Sequence, residues 1–170
     1  ILVARIESSF LDFILSGGLV GMLLSGGNAV SLDITLPALD SAVASSGADI
    51  ELTAITADSL ALEASRGANI ELTDARLRML TASASSGSDI ALSGSAEEIE
   101  MDASSGADID AEELQALSGR LEASSGADIS ARLSEQVRAR ASSGGDIEIQ
   151  GNPQQRDIDT SSGGDVHFED

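Results

Sequence analysis

Along most of the chain apolar and polar residues alternate with a period of two, and the same short break interrupts the alternation again and again. The break is the hexapeptide SSGADI at 45–50, which returns as SRGANI (65–70), SSGSDI (85–90), SSGADI (104–109 and 124–129), SSGGDI (142–147) and SSGGDV (161–166). Its first glycine falls at 47, 67, 87, 106, 126, 144 and 163, so the repeat is 18 to 20 residues long. Before each break the apolar positions are Leu60, Leu80, Ile99 and Val137, then Ala42, Leu62, Ala82, Met101, Leu121, Ala139 and Ile158, then Ala44, Ala64, Ala84, Ala103, Ala123 and Ala141. Glu63, Ser83, Asp102, Glu122, Arg140 and Asp159 lie between them. Strict alternation of this kind predicts a strand with one face buried.

After the break the alternation restarts. Ile50, Ile70, Ile90, Ile109, Ile129, Ile147 and Val166 face inward, followed two residues later by Leu52, Leu72, Leu92, Ala111, Ala131, Ile149 and Phe168. Each repeat therefore reads as strand, glycine corner, strand and variable connector, with the glycine supplying a backbone angle that other residues avoid. Two short strands cannot bury their own apolar face, whereas stacked repeats bury one continuous column. The fold predicted is all-β, a parallel β-helix or solenoid, right-handed because parallel crossovers prefer that hand. Seven rungs at about 4.8 Å each give a rod on the order of 30 Å long.

Residues 1–40 lack the hexapeptide and read as atypical capping rungs of one domain spanning 1–170, with Phe10 and Phe13 as candidate capping side chains. The connectors 53–59, 73–79 and 111–119 have room for a third short strand or one helical turn. Glu112, Glu113 and Gln115 favour helix in isolation, but the flanking rungs are expected to override them. Pro153 falls in a connector, where its missing donor breaks no ladder. The last rung carries no polar cap after Phe168, so that end is expected to be covered by further chain, a second copy or another subunit.

Composition adds to this picture chiefly through charge. Twenty-nine acidic residues against nine arginines and no lysine leave a net charge of −20. Such a surface repels nucleic acid and anionic lipid, and it keeps a β-rich rod from aggregating through its edges. Cysteine is absent, which excludes disulfide and thiol chemistry. The apolar run from Phe10 to Leu24 contains Asp12 and a glycine pair and is too short for a membrane helix. A start at Ile1 rather than Met fits a processed N-terminus from which a signal peptide has been removed.

The repeat stacks its polar residues into columns, and these are the candidate sites. Asp49, Asp89, Asp108, Asp128, Asp146 and Asp165, with Asn69 in the remaining rung, form an acidic ladder at one corner. An aspartate after glycine suits an Asx-turn that accepts from corner amides; the column is also a weak candidate for calcium, which takes several oxygen ligands. Calcium-binding nonapeptide solenoids share the Gly-x-Asp triplet, but their period is half as long and their glycines are paired. The serines at 45, 85, 104, 124, 142 and 161 form hydroxyl ladders, yet a nucleophilic serine needs an adjacent base. His167, the one histidine, has no distinctive spacing. Glu51 with Glu71, or Asp102 with Glu122, could imitate a glycosidase carboxylate pair.

The segment VSLDITLPALDSAVASSGADIEL (30–52), the serial SSGADI and SSGGDI corners and the ending GNPQQRDIDTSSGGDV (151–166) resemble the putative auto-transporter adhesin, head GIN domain family of bacterial extracytoplasmic proteins. The resemblance is good over residues 30–170 and loose over 1–29, and it implies a β-solenoid, secreted or envelope-associated, with no catalytic residues to transfer. The function expected is thus a non-catalytic adhesion, protein-interaction or structural module without a cofactor, in the periplasm, on the outer surface or secreted. Its partner would be a protein, a larger envelope assembly or a glycan. A carbohydrate-active enzyme, polysaccharide lyase or glycosidase, is the alternative. Against it stand the absence of Lys, Trp and Tyr and connectors too short to build a cleft.

Overall fold

The computed structural model describes residues 39–169 in full and, before them, the backbone of four short strands. These pair antiparallel, β1 (Ala4–Glu7) with β2 (Phe10–Phe13) and β3 (Gly21–Leu23) with β4 (Ser31–Asp33). They belong to a compact unit at Ile1–Leu39, separate from a second unit at Asp40–Asp170. The capping role expected of Phe10 and Phe13 concerns side chains outside the described residues.

The second unit is a β-solenoid of about seven turns with no helix among the described residues. Its strands are β5 (Ser41–Ser45), β6 (Asp49–Thr53), β7 (Thr56–Ser65), β8 (Asn69–Ser85), β9 (Asp89–Ser104), β10 (Asp108–Ser124), β11 (Asp128–Ser142), β12 (Asp146–Gln150), β13 (Gln155–Ser161) and β14 (Asp165–Glu169). Every pairing among them is parallel and joins equivalent residues of successive rungs. Ile50, Ile70, Ile90, Ile109, Ile129, Ile147 and Val166 stand in one column as the alternation requires. From Ile70 to Ile147 they are no more than 2% exposed. Each such burial contributes about 2 kcal/mol, and one continuous core results. Among the described residues the last rung pairs on one side alone, and Ile158 is 39% exposed there. The Arg156 guanidinium lies 4.0 Å from the centre of the Phe168 ring in the same rung.

At the hexapeptide corner the residue before the glycine is left-handed as well as the glycine. Ser46, Arg66, Ser86, Ser105, Ser125, Ser143 and Ser162 have φ between 52° and 59°, and the glycines that follow lie between 66° and 80°. A side chain in this region costs about 1 to 2 kcal/mol, which the corner offsets by keeping its backbone within the stack. Ser46 N–H donates to Ser65 O at 3.2 Å, Gly67 N–H to Ser86 O at 3.2 Å and Asp89 N–H to Ala68 O at 3.1 Å, and the pattern recurs down the column. The residue between glycine and aspartate also faces inward, as Ala68, Ala107 and Ala127 at 0% exposure show. In the next rung a Cβ on Gly145 would lie 2.6 Å from the Ala123 carbonyl carbon. That corner is tighter, closed by a Gly145 N–H to Ser142 O bond of 3.0 Å.

The connectors are strands, so each rung has a third face. A second bend precedes it, marked by positive φ at Ala54, Asp74, Gly94 and Gly151. A third follows where two outward residues come in succession, as at Glu97-Glu98. Glu112 and Glu113 lie within β10 rather than in a helical turn, and the register shifts around them. This bulge turns Leu114 fully inward.

Candidate functional site

The corner aspartates come together as the repeat predicts. Asp49, Asn69, Asp89, Asp108, Asp128, Asp146 and Asp165 occupy successive rungs of a single exposed column. The Asx-turn expected of them does not form, because the corner amides already donate to carbonyls of the adjacent rungs. Short bonds reach the ladder at its ends, where Asp49 accepts from Asn69 Nδ2 at 2.8 Å and Asp165 accepts from Val166 N–H at 2.8 Å. Asp165 also lies 3.1 Å from His167 Nε2. Partial burial, then the Asp128 and Asp89 carboxylates above and below, push Asp108 above its ordinary value, with the Asp128 amide opposing. Among the described residues no three His, Asp or Glu side chains converge on a point that could hold a metal ion.

The serines at 45, 85, 104, 124, 142 and 161 stand in register in one ladder, and the buried hydroxyl near them belongs to a residue outside it. Ser88, fully buried, accepts from Ser85 N–H at 2.9 Å and donates to Ala64 O at 2.9 Å. The carboxylates expected to imitate a glycosidase pair lie on flat outer faces. Asp102 and Glu122 are neighbours in register, and Glu122 is tied to Arg120 at 2.7 Å and Arg140 at 3.5 Å. Burial first, then Glu122 and Glu100, raise the Asp102 carboxyl against the pull of Arg120. Arg138 and Arg140 pair with Asp157 at 2.8 Å and Asp159 at 3.2 Å, so this face is a zipper of opposite charges. Glu51 and Glu71 are likewise adjacent and exposed. In the column they belong to, Glu148 is raised chiefly by the facing Glu169 carboxylate, with His167 opposing.

One concave feature was not anticipated from the sequence. A groove of about 820 Å³ runs along the third face from Ala57 to Asn152. Its floor is the inward column Ala57, Leu77, Ala96, Ala116 and Leu133, and its walls include Arg76, Arg78, Ser95, Gln115, Leu117 and Arg132. The unequal connectors hid it. Arg76 lies nine residues after Gly67 and Arg132 six after Gly126, and bulges between Leu72 and Ala75 and between Ala111 and Gln115 restore their alignment.

Residues 23–153 match the model of a protein family described as putative auto-transporter adhesin, head GIN domain. The chain belongs to this family. The match begins within residues 1–29, where the resemblance read from the residues is loose, and ends before the last rung. A crystal structure of a putative adhesin from Bacteroides fragilis NCTC 9343 is similar, with a TM-score of 0.73 and 18% identity over 89% of this chain and 77% of that one. At that identity the likeness concerns the fold. No curated protein sequence matches this head GIN domain, and no described helix is long and apolar enough to cross a membrane.

Proposed function

We propose that the chain is a non-catalytic adhesion module acting outside the cytoplasm, which presents its outer faces to a surface partner or to a larger envelope assembly. The observation that carries this reading is the unbroken in-register stack of outward side chains, with aspartate repeated at one corner in six of seven rungs, in a member of an adhesin family. Repetition of this kind gives many weak, equivalent contacts rather than one pocket, and multivalent contact raises avidity without strong single bonds. The enzymatic alternative draws no support from the carboxylate pairs, which stand on flat faces with Glu122 already held by two arginines.

Beads coated with the purified chain should adhere to bacterial or host-cell surfaces, and the tagged full-length protein should fractionate with the envelope or the medium. Shortening of a polysaccharide by the purified chain, or a cytoplasmic location of the tagged protein, would overturn the reading.

A further inference from the structure

We propose that the third-face groove binds an extended carboxylated polysaccharide; this rests on the adhesion reading and names one ligand class for it. The argument begins with charge. Arg120, Arg138 and Arg140, on the first face, all sit in ion pairs, and Arg156 packs on Phe168 and bonds Asn152. Among the described residues Arg76 and Arg78 have no acidic partner within 4.0 Å, and Arg132 donates to the neutral amide of Gln150 at 2.7 Å. All three line the groove.

The column on one wall is distinctive. Thr56, Arg76, Ser95, Gln115, Arg132 and Gln150 stand in register over six rungs, and the first acid in the column is Glu169 in the last rung, in a chain whose net charge is −20. Its two arginines are three rungs, or about 14 Å, apart, with a hydroxyl and an amide between them. The opposite wall is mixed, Arg78 lying beside Asp58 and Glu97, followed by Leu117 at 45% exposure. The acidic columns of the other faces are screened over about 8 Å at physiological ionic strength, so the groove's own charges, Arg76, Arg78 and Arg132 against Asp58 and Glu97, decide what enters.

The groove runs across the strands, whose amides are already bonded to neighbouring rungs. A peptide entering it would find no free strand edge to extend, so the main-chain bonds that give peptide docking its affinity are unavailable. Recognition falls to side chains: guanidinium forks that match carboxylates in two bonds, Ser95 and Gln115 for hydroxyls, and the exposed Leu117 for the C–H faces of sugar rings.

The test measures binding of the full chain to polygalacturonate, with neutral dextran and poly-glutamate as competing probes, by titration calorimetry at physiological salt. Polygalacturonate should bind, dextran and poly-glutamate should not, and Arg76→Gln with Arg132→Gln should weaken binding at least tenfold. Arg138→Gln, on the first face, should leave it unchanged. Arg76→Lys should lose part of the affinity, since a point charge replaces a fork. No binding of polygalacturonate, equal binding of dextran, tighter binding of poly-glutamate, or indifference to the groove variants would each overturn the proposal. If the beads still adhere to cells in those cases, the adhesion reading survives and only this ligand fails.

Discussion

At the scale of single residues, repetition makes each side chain answer to its own copies above and below. Asp108 is the clearest case, since its carboxyl is raised above 3.8 by burial and by two stacked aspartates. The folded state then holds that proton more tightly than the unfolded chain, so stability is gained as pH falls through the raised value towards 3.8 and lost as pH rises above it. Asp108→Asn should raise Tm at pH 7 by on the order of 1–2 °C, a small effect because the site is exposed, and should flatten the rise in Tm on acidification. A thermal melt series of both proteins checks this. Ile109, 2% exposed beneath Ile129, has no comparable tolerance: Ile109→Asp should cost roughly 4 kcal/mol or more in a denaturant titration by burying an unpaired charge. Gly145→Ala should cost about 1–3 kcal/mol, although alanine fills the equivalent place at Ala107 and Ala127, because its Cβ would press on the Ala123 carbonyl.

At the scale of elements, the unit of structure is a column running through many strands. Those columns were legible where a residue keeps a constant distance from the hexapeptide. Ile109 over Ile90 and the whole aspartate ladder could be placed from spacing alone. Two things were not legible. The left-handed residue ahead of the glycine, a serine at every corner but Arg66, is held from Ser46 to Ser125 by a hydrogen bond from its N–H to the next rung, a tertiary cause that no local preference announces. The wall of Arg76 and Arg132 was hidden because bulges, whose positions depend on what the core can accept, absorb the differences in connector length. The ladder's electrostatics follow from the corner geometry. With corner amides engaged elsewhere, water and salt must damp the repulsion between carboxylates about 4.8 Å apart, worth about 1 kcal/mol per pair in a water-like dielectric. Added NaCl should therefore raise Tm modestly, while a chelator at constant ionic strength should leave it nearly unchanged. A large drop with chelator, restored by Ca²⁺ and not by Na⁺, would make the ladder a calcium site.

At the scale of the whole molecule, the stack divides its charge: arginines paired with acids on the first face, aspartates at a corner, and, along a groove, arginines that have no acidic partner among the described residues. A one-dimensional stack also has a one-dimensional response to load. Its rungs are joined by hydrogen bonds directed along the axis, so tension applied between the two ends strains the bonds of the outermost rung before those behind it. The stack should peel, one turn of 18 to 20 residues at a time, each releasing about 65 Å of slack. A force-extension trace should be a sawtooth of evenly spaced low peaks, and a single abrupt rip would refute it. Tethered between two bodies in flow, such a stack dissipates a sudden pull by lengthening and holds its remaining contacts while it does so.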